Sequence, residues 1–136
     1  MSGAEEQAGS AGTLHLDTNV LIAMASADTH LHQQVAEWSR QHRQFAASTM
    51  AWAEYCCGPV SARAREAWAA ALDGQLLAVT PAIAEHAAQL FCDTGRRSRS
   101  LPDCLIAATA LAYGAPLATF NRQDFAPFIS HGLELA

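Results

Sequence analysis

The sequence predicts an α/β fold on a mainly parallel sheet, from two observations. Short apolar runs alternate with longer stretches of helical periodicity, so successive strands are bridged by crossover helices of about ten residues or more. Ala also dominates the apolar 51% of the 136 residues, which favours closely packed helices over an all-β sandwich. No internal repeat or second-domain linker interrupts the alternation, and the length fits one domain with a real core. Residues 1–12 read as a disordered tail. They are rich in Gly, Ala, Ser and Glu and lack the apolar stretch of a signal peptide. Residues 13–136 read as the single domain.

The elements follow in order. Thr13–Asp17 is a strand, apolar at Leu14 and Leu16. His30–Arg43 places Leu31, Val35 and Trp38 on one helix face. Phe45–Ser48 is a second strand, and Thr49 caps a helix running to Cys57, stopped by Gly58-Pro59. Val60–Leu72 gathers Val60, Ala64, Ala67, Trp68 and Ala71 on one side and ends at Asp73-Gly74. Leu76–Val79 is a third strand. Thr80-Pro81 is an N-cap followed by Pro at the first helical position; that helix aligns Ile83, Ala87, Leu90 and Phe91 and stops near Thr94-Gly95. Ser100–Tyr113 is a helix ending at Gly114. Leu117–Thr119 is a fourth strand and Leu133–Leu135 a candidate fifth at the edge, so the sheet has four or five strands. Met24, Met50 and the Trp residues read as core.

Composition removes several chemistries. All eight cations are Arg, with no Lys. A P-loop, a Schiff-base enzyme and a phospho-acceptor receiver domain each need a Lys. The net charge of −5 argues against a general polyanion binder, though not against carboxylates that attract phosphate once they hold a divalent cation. Cys56, Cys57, Cys92 and Cys104 show no zinc spacing and read as buried free thiols of a reducing cytoplasm. His15, His30, His32, His42, His86 and His131 form no ligand pair at metal spacing. No G-x-S-x-G elbow or G-x-G-x-x-G loop occurs. The longest uncharged run, Cys104 to Asn121, contains Gly114 and Pro116, which argues against a membrane span.

Parallel sheets carry their sites beyond the carboxyl ends of the strands, and that rule selects among the acids. Asp17 ends the first strand. Glu54 lies about one turn into the helix after the second. Asp103 sits in the first turn of its helix, and Asn121 and Asp124 follow the fourth strand directly. Glu37, Glu66 and Glu85 look like solvated faces. Each selected residue also has a local reading: an Asx-turn and cap for Asp17-Thr18-Asn19, capping boxes for Ser100-x-x-Asp103 and Asn121-x-x-Asp124, and a surface Glu for Glu54. Gathered together, however, the carboxylates would repel one another unless a cation joined them. Hard oxygen ligands without a soft partner select Mg²⁺ or Mn²⁺.

These residues resemble the motifs of PIN-domain nucleases. Leu16-Asp17-Thr18-Asn19-Val20-Leu21-Ile22 is similar to the family's opening motif, and Glu54 in Trp52-Ala53-Glu54-Tyr55 to its second acid. Pro102-Asp103-Cys104-Leu105-Ile106-Ala107-Ala108-Thr109-Ala110 resembles the third-acid helix, and Thr119-Phe120-Asn121-Arg122-Gln123-Asp124-Phe125 the last motif. The four occur in family order across residues 14 to 125, and the last two look most like VapC-type toxins of bacterial toxin–antitoxin pairs. The resemblance implies a three-layer α/β/α sandwich and a cytoplasmic, Mg²⁺- or Mn²⁺-dependent endoribonuclease. Asp17, Glu54 and Asp103 take the first three acidic positions. Many relatives carry Asp where this chain has Asn121, so either Asn121 or Asp124 fills the fourth, and one metal or two remains open. Thr18, Asn19 and Thr119 orient acids or water, or else make local turn bonds. Such a site hydrolyses RNA through metal-activated water, with no side-chain nucleophile.

Arg96, Arg97 and Arg99, immediately before Asp103, would meet RNA phosphate at the mouth of the site, or form a solvated loop that offsets nearby acids. The resemblance further implies a homodimer and a cognate antitoxin protein. A non-catalytic PIN-like scaffold and a free-standing RNA-processing nuclease stand as alternatives. A haloacid-dehalogenase-like enzyme would need a second Asp where this chain has Asn19.

Overall fold

The structure, a computed structural model, describes residues 12–95 and 101–136. The expected tail, Gly12 apart, and the basic run at positions 96–100 lie outside these residues.

Four strands form one all-parallel sheet: β1 (Thr13–Leu16), β2 (Gln44–Ser48), β3 (Leu76–Leu77) and β4 (Leu117–Ala118), in the order β3-β2-β1-β4. The helices are α1 (Thr18–Ala23), α2 (Thr29–Gln41), α3 (Thr49–Cys57), α4 (Ala62–Ala71), α5 (Pro81–Asp93), α6 (Leu101–Ala112) and the single turn α7 (Arg122–Phe125), followed by a 3₁₀ helix over Ala126–His131. The expected α/β class and parallel sheet are both present.

Strand alternation divides the core into two layers. Leu14 and Leu16 face Val20, Val35, Trp38, Trp68 and Leu72 on one side of the sheet. On the other, Leu117 packs with Ile83, Ala87, Leu90, Ile106, Ala107, Phe125 and Phe128. Fully buried alanines recur where elements meet: Ala46, Ala47, Ala51, Ala87, Ala107, Ala108, Ala110 and Ala118 all have 0% exposure. A methyl side chain lets backbones approach closely, so the alanine content is a packing device rather than a propensity effect alone.

Several details differ from expectation. Ser48, not Thr49, caps α3: its side chain accepts from the Ala51 N–H at 3.0 Å. Thr49 Oγ1 instead accepts from the Val79 N–H at 3.3 Å, tying α3 to the segment after β3. The helix expected from Val60 starts at Ala62 under a Ser61 cap, and it buries Trp68 and then Leu72 while Ala67 and Ala71 stay exposed. A single bulky aromatic, with the Leu72 that follows the helix, suffices to seat it. The third strand is only two residues long, and the Leu133–Leu135 strand reduces to one parallel bridge, Leu117↔Leu135. For α1 and α7 the sequence offers only the local cap readings at Asp17 and Asn121 and no helix extent, because runs of six and four residues are too short to show periodicity. Met24 is 43% exposed rather than core, whereas Met50 packs against the core and Trp38 and Trp68 are buried. Of the cysteines only Cys104 is buried; Cys56 is half-buried and Cys57 and Cys92 are exposed.

Candidate metal and nucleic-acid site

The strand order reverses beside β1. From β1 the chain builds outward through β2 to β3, then returns to place β4 on β1's other side. Such a switch point opens a crevice at the carboxyl ends of the two strands. Register puts Leu16 opposite Ala118, so the next residues, Asp17 and Thr119, meet at that crevice.

Asp17 is held from several directions. Its N–H donates to the Ala118 carbonyl at 3.0 Å. Its carboxylate accepts from the Thr18 N–H at 2.7 Å and from Thr119 Oγ1 at 2.7 Å. It also caps α1, so the local Asx reading and the convergence of acids hold together. Thr119, 3% exposed, donates its one hydroxyl proton to Asp17 and accepts from the Asn121 N–H at 2.9 Å and from Asn19 Nδ2 at 3.4 Å. Those bonds use the hydroxyl's full capacity. Asn19 Oδ1 accepts from the Phe120 N–H at 3.2 Å, so the segments after β1 and β4 are laced together. Thr18 Oγ1 donates to Glu54 Oε1 at 2.8 Å, which turns this half-buried side chain on α3 inward. Ser48 was not singled out in the sequence, yet its cap fixes the start of the helix that presents Glu54; a Ser at the end of a strand run was the available signal.

Asp103 lies half-buried in the first turn of α6. Burial, followed by the charges of Asp17, Asp124 and Glu54, pushes its carboxyl up to about 7. Asp17 is also raised, by burial first; the bonds from Thr119 and Thr18 pull it down, and Glu54 and Asp124 push it up. The four carboxylates therefore share one electrostatic neighbourhood. Asn121 and Asp124 are exposed, and the Asn121 amide donates to the Asp124 carboxylate. No capping box forms there, because the Asn121 N–H is taken by Thr119.

Among the described residues the ion pair is Arg40 with Glu37 on α2, so no described cation pairs with the four acids. The donor set fits a hard divalent cation: carboxylate oxygens, with no thiol or imidazole among them. It is not a closed cage, since no three His, Cys, Asp or Glu side chains among the described residues are arranged to hold an ion. Charge coupling extends farther than coordination distance, so the two observations agree on acids that are near one another without being drawn together. His15, on β1 next to Tyr113, is 2% exposed. Its Nε2 has no hydrogen-bond partner, and burial lowers it to about 4, so it is neutral.

Arg96, Arg97 and Arg99 lie outside the described residues. No helix among those described is long and apolar enough to cross a membrane.

The PIN domain family model matches residues 14–127. No curated protein matches the chain. Among solved structures, a toxin–antitoxin complex from Klebsiella pneumoniae is similar at 29% identity and TM-score 0.67, over 83% of this chain and 90% of that one. VapBC2 from Rickettsia felis, solved with a DNA fragment from its promoter, is similar at 18% identity and TM-score 0.68, over 91% and 97%. VapBC-1 from nontypeable Haemophilus influenzae is similar at 23% identity and TM-score 0.65, over 91% and 96%.

Proposed function

Because the chain belongs to the PIN-domain family, we propose that it is a divalent-metal-dependent endoribonuclease and the toxin of a toxin–antitoxin pair. The observation that carries the nuclease reading is the set of four carboxylates, Asp17, Glu54, Asp103 and Asp124, coupled at the β1/β4 switch point with no described cation paired to them. Asp17, Glu54, Asp103 and Asp124 would hold Mg²⁺ or Mn²⁺. The ion, when bound, supplies charge that activates water and offsets charge on the phosphodiester. The chain's own residues do the rest. Thr119 and Thr18 aim Asp17 and Glu54, Asn19 ties their two loops together, and Asn121 steadies Asp124. Arg96, Arg97 and Arg99 would receive RNA phosphate. The likeness to solved toxin–antitoxin complexes supports an antitoxin as partner. A homodimer in the cytoplasm and a single domain over residues 13–136 complete the proposal.

The test is cleavage of RNA with added Mg²⁺ or Mn²⁺. Cleavage should stop in EDTA and fall to background in Asp17→Asn and Asp103→Asn. Mn²⁺ should raise the melting temperature of the wild type by mass action. EDTA-resistant cleavage, or full activity in both variants, would refute the proposal. A protein that neither cuts RNA nor responds to Mn²⁺ would be a PIN-like scaffold.

A further inference from the structure

We propose that Arg122 and the segment Leu133–Ala136 form a clamp that positions the turn carrying Asn121 and Asp124; the proposal rests on the nuclease reading above. The turn needs such support. α7 is four residues long and has no side-chain cap, and a single helical turn does not hold itself in water.

It is fixed on two sides that are already accounted for. Beneath it, Phe125 and Phe128 are buried with ring centroids 6.0 Å apart. On its inner side, the Asn121 N–H is bound to Thr119. The remaining tie is Arg122, whose guanidinium donates to the backbone oxygen of Ala136.

Ala136 is itself anchored. Its N–H donates to the Leu117 carbonyl at 2.9 Å, and the Leu117 N–H donates to the Glu134 carbonyl at 2.9 Å, across the parallel Leu117↔Leu135 bridge. Leu135 packs against the core on one face of the sheet and Ala136 against the core on the other. Arg122 therefore closes a ring that runs from β4 through Asn121 and α7 to Ala136 and back to β4.

The same bond directs a cation. Arg122 is two residues from Asp124 in sequence, yet its guanidinium is engaged by Ala136 at the outer edge of the sheet and forms no ion pair with the acids. Of the other described Arg, Arg40 is paired with Glu37, and Arg43, Arg63 and Arg65 lie on the turn before β2 and on α4. Arg122 thus acts through Asp124 and Asn121 as a positioning residue.

The test compares the wild type with Arg122→Met, which keeps an apolar stem and removes the donors, and Arg122→Lys, which restores one. Two readouts are taken on the full chain: Mn²⁺-dependent RNA cleavage, and amide hydrogen exchange over residues 119–128 and 133–136. Because small displacements of positioned groups are costly to rate, Arg122→Met should lower kcat about tenfold while KM for RNA stays within about twofold. Exchange should quicken in both segments, and Arg122→Lys should recover most of both effects. Unchanged exchange overturns the clamp, as does unchanged kcat with faster exchange. A loss carried by KM alone also overturns it and makes Arg122 an RNA-phosphate contact. If the wild type cuts no RNA, the nuclease reading falls, and exchange still decides the clamp: faster upholds it, unchanged overturns it.

Discussion

Asp103 binds its proton far more tightly in the folded chain than an ordinary Asp, near 7 against 3.8, through burial and then the charges of Asp17, Asp124 and Glu54. A raised folded-state value has a fixed sign: the stability it contributes is complete below about 3.8 and is lost as pH rises through about 7. His15 has the opposite sign, since burial lowers it from 6.5 to about 4; its contribution is present above 6.5 and lost as pH falls through 4. The two slopes overlap, so the useful quantity is the difference between wild type and Asp103→Asn. In EDTA, Asp103→Asn should gain melting temperature relative to wild type as pH is raised from about 4 to 7, and parallel profiles would contradict this. Thr119 makes a second prediction at this scale. Replacing its buried hydroxyl in Thr119→Val leaves Asp17 short of a donor and the Asn121 N–H short of an acceptor, at a cost of about 1–3 kcal/mol. Thr119→Ser should recover most of that in urea unfolding.

Ser48 shows how an element can carry function from a distance. Its cap starts α3, and α3 presents Glu54. Ser48→Ala should cost about 1 kcal/mol in urea unfolding, and Thr49→Ala clearly less; the reverse order would restore Thr49 as the cap. The confusion between the two has a physical cause. Both are good caps by residue type, and only the point where β2 stops pairing decides which lies at the boundary. The longer helices were readable for the opposite reason. α2 shows Val35 and Trp38 on one face, and α5 carries Thr80-Pro81 followed by Ile83, Ala87 and Leu90; in each, periodicity and capping point the same way. α1 and α7 were illegible because tertiary contacts hold them rather than their own pattern. The candidate acids were readable from a rule about strand ends. The hydrogen bonds that aim them, such as Asn19 to Phe120 and Thr18 to Glu54, join residues far apart in sequence and leave no local trace.

The whole molecule is a parallel sheet between two helical layers, and its alanines set how closely the layers approach. Ala107 has no exposed surface and lies in the cluster that also holds Ala87, Leu90 and Phe125. Ala107→Leu should therefore destabilise by about 1–3 kcal/mol through overpacking, measurable as a lower urea midpoint. An unchanged midpoint would mean the layers are looser than the fully buried alanines indicate. The net charge of −5 also belongs to this scale. Part of it is concentrated at one crevice, so Mn²⁺ should act on stability more strongly than an equal ionic strength of NaCl, which only screens.

The reversal of strand order beside β1 has a consequence in time. It brings Thr119 to Asp17 across 102 positions of sequence and Phe120 to Asn19 across 101. Contacts of such long range are made late, after the loop between them has been closed. A growing chain that has emerged only as far as α6 possesses Asp17, Glu54 and Asp103 but lacks the strand that orients Asp17. The crevice therefore cannot be assembled until β4 has left the ribosome, and a chain that stops short of β4 would carry three of its acids without the means to align them.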